Sequence, residues 1–195
     1  MRVEYEPSGP PQEVAPGLFM ALPGKGKFSG MELDGALYDV EMLFHKTPHG
    51  VRPMSVTVTS HDSAVPITGT ALRALRVWDA ARSAIVHGVD REGYEPTQNH
   101  PPGMVMEKWG LSDQKIEAIR KQGPTSESLE WVAFLYNLAE VLGYPPTKQV
   151  ETVLGLPRAT ASNWVRRARD KDLLPPVRVT STRSTTEDAG GESNA

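Results

Sequence analysis

The chain has no cysteine. That absence excludes disulfides, thiolate zinc sites, iron–sulfur clusters and a thiol nucleophile. Long apolar runs are missing as well, and no stretch approaches the roughly 18 residues that a membrane-spanning helix needs. The opening residues, MRVEYEPSGPPQE, are acidic and proline-rich, unlike a signal peptide, so a cytoplasmic location is expected. No large excess of one charge is present either. Lys and Arg number 21 and Asp and Glu 24, a net charge of −3, which argues against a protein that coats nucleic acid or membrane with its whole surface.

What is there fits a soluble globular protein. The 195 residues suffice for one medium domain or two small ones, and the 38% apolar and 23% charged fractions are ordinary. The charge is unevenly placed. Residues 1–145 hold 13 basic and 18 acidic side chains, residues 146–183 hold 8 basic and 3 acidic, and residues 184–195 add 3 acidic. A compact basic island between acidic flanks fits a local phosphate-binding surface; it also fits a solvated helix face.

Period and punctuation divide the chain. Residues 1–30 carry Pro7, Pro10, Pro11, Pro16 and Pro23, followed by Gly24, Gly26 and Gly30, and read as a flexible segment. Gly24-Lys25-Gly26-Lys27 lacks the spacing of a phosphate loop. Two runs alternate with period 2: Tyr38, Val40, Met42 and Phe44, then Met54, Val56 and Val58. With Lys46-Thr47-Pro48-His49-Gly50 as the turn, they predict a β-hairpin. Such a ribbon needs a helix on its apolar face. Leu72, Leu75, Trp78, Ala81 and Ile85 supply a helical stripe, with Thr68 or Thr70 as cap, Gly88 at the end, and Arg73, Arg76 and Arg82 on a solvated face. Residues 89–110, with Pro96, Pro101, Pro102 and Gly103, read as a linker. Helices are predicted over 112–122, capped by Ser112, and over 126–142, starting at Ser126 or Ser128 and ended by Gly143 and Pro145-Pro146.

Residues 147–175 carry the most information. A short helix, 147–154, turns Val150, Val153 and Leu154 inward. Gly155 provides the left-handed break and Leu156 fills the angle. A second helix, 158–171, buries Ala161, Trp164 or Val165, and Ala168. With helix 126–142 as third wall, this is a helix-turn-helix. The outward face of the second helix is then Arg158, Ala159, Ser162, Asn163 and Arg166, groups that reach base edges: Arg to guanine, Asn to adenine, a methyl to thymine. Thr147, Lys148, Thr160, Arg167, Arg169 and Lys171 lie where DNA phosphates would pass.

The same residues resemble the C-terminal helix-turn-helix of small actinobacterial and actinophage DNA-binding proteins. Their pattern of Pro-Pro-Thr, a short helix, Leu-Gly, then Thr-Ala-Ser-x-Trp-Val-Arg-Arg-Ala-Arg and Leu-Leu-Pro is matched at 145–147, 154–155, 160–169 and 173–175. Pro66-Ile67-Thr68 with Leu72-Arg73 resembles them more loosely. The resemblance covers about residues 126–176 and implies DNA binding in regulation or phage biology. Two positions depart from the pattern: Glu151 replaces a small residue, which requires it to tilt outward or the helix to shift, and Pro157 replaces a capping Ser.

Other chemistry lacks a constellation. His45 and His49 are four apart but fall at the hairpin turn, so neither metal nor cofactor is expected. No hydrolase, metalloprotease or nucleotide-binding motif occurs, and no enzyme is expected. The sequence therefore predicts an α+β protein: a flexible segment 1–30, a β-hairpin packed on a helix over 31–88, a linker 89–110, an all-α domain 111–176 with the helix-turn-helix at 147–171, and a disordered tail 177–195. Double-stranded DNA is the expected partner, with a homodimer or protein partner reached through the N-terminal region and no membrane. The alternative is a protein-interaction adaptor using the same helical domain.

Overall fold

The computed structural model describes residues 1–91 and 106–176. The expected tail 177–195 and the centre of the expected linker lie outside them. Six antiparallel strands come first, two helices and a seventh strand follow, and packed helices complete the described residues.

Alternation builds the first sheet. In β1 (Arg2–Pro7), Val3 and Tyr5 turn toward the core while Arg2, Glu4 and Glu6 face water. β2 (Pro11–Ala15) and β3 (Leu18–Ala21) follow as a hairpin. β4 (Gly24–Leu33) buries Gly24, Gly26 and Phe28, with Lys25 and Lys27 on the other face. β5 (Ala36–Thr47) buries Tyr38, Val40, Met42 and Phe44, and β6 (Gly50–Ser60) pairs with it in the expected hairpin. The sheet order is β1-β4-β5-β6.

Residues 1–30 are thus ordered strands and not the flexible segment expected from their prolines. Pro7 and Pro11 sit at strand ends, and Pro10, Pro16 and Pro23 fall between strands, where a missing N–H breaks no ladder. The Gly-Lys repeat is strand as well. A Cβ on Gly26 would lie 2.5 Å from the Ala84 Cβ and 3.0 Å from the Phe44 ring, so glycine here lets a helix close on the sheet.

That helix is broken in two. Thr68 caps α1 (Gly69–Ala74) through its Oγ1, which accepts from the Ala71 N–H at 3.0 Å. Leu75 is extended, and α2 (Val77–Gly88) starts afresh. The interruption shifts the helical phase. Ala80, Ala81, Ala84 and Ile85 form the buried face, whereas Leu72 and Trp78 of the expected stripe are 50% and 42% exposed.

The expected linker is also structured at both described ends. β7 (Val89–Arg91) joins β2 and β3 in a second sheet ordered β2-β3-β7. Trp109 is 1% exposed, in a short 3-10 turn, Glu107–Trp109. Beside it Lys108 Nζ donates to the carbonyls of His87 at 3.0 Å and Val89 at 2.8 Å, closing the end of α2. Burial pushes that amine below the usual lysine range, against the opposing pull of Asp90.

Four helices complete the chain: α3 (Asp113–Gln122), α4 (Ser126–Leu142), α5 (Pro146–Leu154) and α6 (Arg158–Asp170). α4 buries 12 of its 17 residues, on every side. A helix apolar all round must be covered all round. α5 and α6 cover one side; α2 and the β2–β3 hairpin cover another. Asn137 Nδ2 donates to the Pro16 carbonyl at 3.1 Å, and the Arg91 guanidinium lies 4.1 Å from the Trp131 ring. Arg82, expected on a solvated face, donates from Nε to the Leu142 carbonyl at 2.9 Å and stacks 4.4 Å from the Tyr144 ring. One hydrophobic core runs through strands and helices alike.

Candidate nucleic-acid interface

The α5–α6 pair is built as its residues dictate. Pro146 at the start of α5 supplies a preset φ where no N–H partner is needed. Gly155 ends α5 at φ 57°, and its N–H bonds back to the Glu151 carbonyl. The left-handed backbone favours glycine here, and the site has a second demand. A Cβ would meet the Arg120 guanidinium, whose Nε donates to the Leu154 carbonyl and so ties α3 to the end of α5. α6 then packs Ala161, Trp164, Val165 and Ala168 against α4 and α5, with both Trp164 and Val165 inside.

Among the described residues, packing one face of α6 leaves the other free: Arg158, Ala159, Ser162, Asn163 and Arg166 are all exposed, and α6 makes its substantial contacts with α4 and α5 only. An Arg166 guanidinium N–H donates to Asn163 Oδ1 at 3.2 Å, so these two groups sit side by side. At 1.5 Å rise per residue the helix is about 20 Å long, enough to lie in a major groove.

The six residues expected at phosphates divide by environment. Arg167 is exposed, and Thr147 and Thr160 are half-buried. Neither Arg158 nor Arg167 has an ion pair or side-chain hydrogen bond among the described residues. Lys148 pairs with Glu151 at 2.5 Å, with its own side chain 64% exposed. Glu151 is 21% exposed and meets that lysine at the rim, which is how a carboxylate fits where the pattern has a small residue. Lys171 donates to Ser126 Oγ at 3.1 Å. Arg169 is held within the fold: it donates to the Tyr136 hydroxyl at 2.7 Å and stacks 5.0 Å from that ring. Its packing against α4 is a contact that reading charge spacing did not anticipate.

The helix starts add to the electrostatics. Ser112 and Thr125 cap α3 and α4 by side-chain hydrogen bonds, with Asp113 and Glu127 in the first turns. α5 and α6 begin at Pro145 and Pro157, with no side-chain cap and no acidic residue in the first turn. Free N–H groups and the positive end of the helix dipole are left to whatever anion approaches.

Among the described residues no three His, Asp or Glu come together to hold a metal, and no helix is long and apolar enough to cross a membrane. The chain matches no protein-family model, no curated protein and no solved structure.

Proposed function

We propose that the chain is a cytoplasmic, sequence-specific DNA-binding protein, a transcriptional or phage-related regulator that sets α6 in the major groove. The observation that carries this reading is the exposed face of Arg158, Ala159, Ser162, Asn163 and Arg166 on a helix anchored from behind by Trp164 and Val165. Arg158, Asn163 and Arg166 offer the donors and acceptors that discriminate base edges. Thr147, Lys148, Thr160, Arg167 and Lys171 flank them for phosphate oxygens, and the acid-free starts of α5 and α6 favour the same anion. Arg169 contributes by holding α6 on α4, with any phosphate contact secondary to that packing. The resemblance to actinobacterial and actinophage helix-turn-helix proteins points the same way.

The test is selection of bound fragments from a random-sequence duplex library, then titration of the selected duplex by fluorescence anisotropy. About four to six phosphate contacts give a log–log salt slope of about −4 to −5. Arg158→Ala and Asn163→Ala each flatten the sequence preference by about 1–3 kcal/mol, while Arg167→Ala weakens all duplexes alike. A chain carrying all three substitutions that still binds like wild type overturns the proposal. So does a selection that enriches no sequence.

A further inference from the structure

Nine large apolar side chains are exposed among the described residues, and six of them, Met54, Val56, Ile67, Leu72, Val77 and Trp78, fall between positions 54 and 78. Met54 and Val56 lie on β6 itself, the last strand in its sheet. Only β5 pairs with β6, so among the described residues its other edge presents unpaired N–H and C=O groups.

The two edges of this sheet are differently defended. β1 carries Arg2, Glu4 and Glu6 on exposed positions, and such charges keep foreign strands from pairing. Residues 53–60 of β6 read PMSVTVTS, with no charge at all. The core side of this strand also runs out of cover. Val56 lies opposite Met42 in register, facing inward, yet is 38% exposed, and Met54 beside it is 61% exposed. α2 packs on β6 and brings Trp78 alongside, its ring 5.0 Å from the Arg52 guanidinium. Pro53 and the register shift against Leu43 and Phe44 blunt one end of this edge, but residues 54–60 keep neither proline nor charge, and an open edge continuous with an apolar border is the signature of an interaction surface.

We propose that this edge binds a second copy of the chain, β6 against β6, antiparallel across a two-fold axis. Symmetry favours the copy over a foreign strand. An axis normal to the sheet sets residues of the same face opposite one another, so valines meet valines on the core side and Ser55, Thr57 and Thr59 meet one another on the outer side. No like charges meet, because this stretch has none. The dimer joins the two sheets edge to edge and buries the Val56, Met54 and Trp78 border. The inference is independent of the DNA reading, although two copies carry two α6 helices.

Sedimentation equilibrium of the full chain at tens of micromolar tests it. Wild type should run at twice the 21.3 kDa chain mass. Thr57 is exposed on the outer face, so Thr57→Lys leaves the core untouched while placing like charges across the axis. It and Val56→Lys should each raise the dimer dissociation constant by about tenfold or more, since a two-fold axis counts each change twice. Mixing Thr57→Lys chains with Thr57→Glu chains should restore the dimer. A monomeric wild type overturns the inference, whatever strand then covers the edge. So does a dimer indifferent to both lysines, or a charge-swapped mixture that stays monomeric. The Arg158, Asn163 and Arg167 variants should keep the dimer mass, so loss of DNA binding and loss of dimerisation are separately read.

Discussion

The four-stranded sheet and α6 treat their charges in different ways. On the sheet, cations are answered by neighbouring strands: Lys27 pairs with Glu6 at 2.5 Å and Lys25 with Glu41 at 3.0 Å. On α6, Arg158 and Arg167 find no such partner among the described residues, and the helix starts lack both cap and acid. Individual surface pairs are worth little, about 0–1 kcal/mol each. Their distribution is what teaches. A surface that answers its own charges presents nothing strongly anion-seeking, whereas one that leaves cations open attracts anions.

The most forceful way to break that comparison is to ask whether the two regions are separate at all. Trp164 is 5% exposed and fills the angle between α6 and its neighbours. Trp164→Ala should destabilise by about 3–5 kcal/mol, the usual range for losing a buried large aromatic. Because α4 is covered by strands and helices together, the sheet should melt with the helices. Urea titrations followed by far-ultraviolet circular dichroism and by tryptophan fluorescence should shift together in one transition. Two separated transitions, with the sheet's unmoved, would show two independent units.

Legibility in the sequence followed how strongly each element depends on its own pattern. The helices α5 and α6 and the break between them were legible because local chemistry dictates them: Gly155 must be left-handed, and Ala161 and Ala168 share a face with Trp164 and Val165, of which the spacing alone asked for one and the packing takes both. The β5–β6 hairpin was equally clear, since its alternation is written in large apolar residues. β1 and β4 were missed although both alternate, as Arg-Val-Glu-Tyr-Glu and as Gly-Lys-Gly-Lys-Phe. In β4 two of the inward residues are glycines, which no hydrophobic scale scores as core; Tyr5 covers Gly24, and Ala84 of α2 covers Gly26. The break at Leu75 and the strand at Val89–Arg91 depend on partners far along the chain, which spacing cannot supply. Of the candidate site, the exposed face was legible from helical phase. The capture of Arg169 by Tyr136 was not, because it depends on how α4 presents that ring.

Two glycines sharpen the contrast at intermediate cost. Gly26 is needed for closeness: a Cβ there meets the Ala84 Cβ and the Phe44 ring, both held in the core. Gly155 is needed for its positive φ, and the atoms in the way are the end of the Arg120 side chain, which can swing aside at the loss of its bond to the Leu154 carbonyl. Gly26→Ala should therefore be the worse change, at about 2–3 kcal/mol from overpacking. Gly155→Ala should cost about 1–2 kcal/mol from backbone strain. Denaturant midpoints order the two. Equal losses, or the reverse order, would show that α2 yields more easily than the turn.

The smallest effect is one of pH, and it belongs to the sheet region. Tyr5 donates its hydroxyl to the Ala21 carbonyl at 2.6 Å, and burial pushes its pKa from 10.0 to about 12. Burial disfavours the phenolate, so the folded chain holds this proton where the unfolded chain has lost it. The contribution of Tyr5 to stability is complete below pH 10 and declines as pH rises toward about 12. Tyr5→Phe removes both the hydrogen bond and the titration. At pH 8 the variant should be about 1 kcal/mol less stable than wild type, the ordinary worth of one hydrogen bond. At pH 11 the two should converge, because only wild type has lost stability to ionisation. A gap of the same size at both values would mean that the hydroxyl is solvated in the folded chain, and that the β1–α2 seam beside Gly88 is looser than the packing of the Tyr5 ring against it indicates.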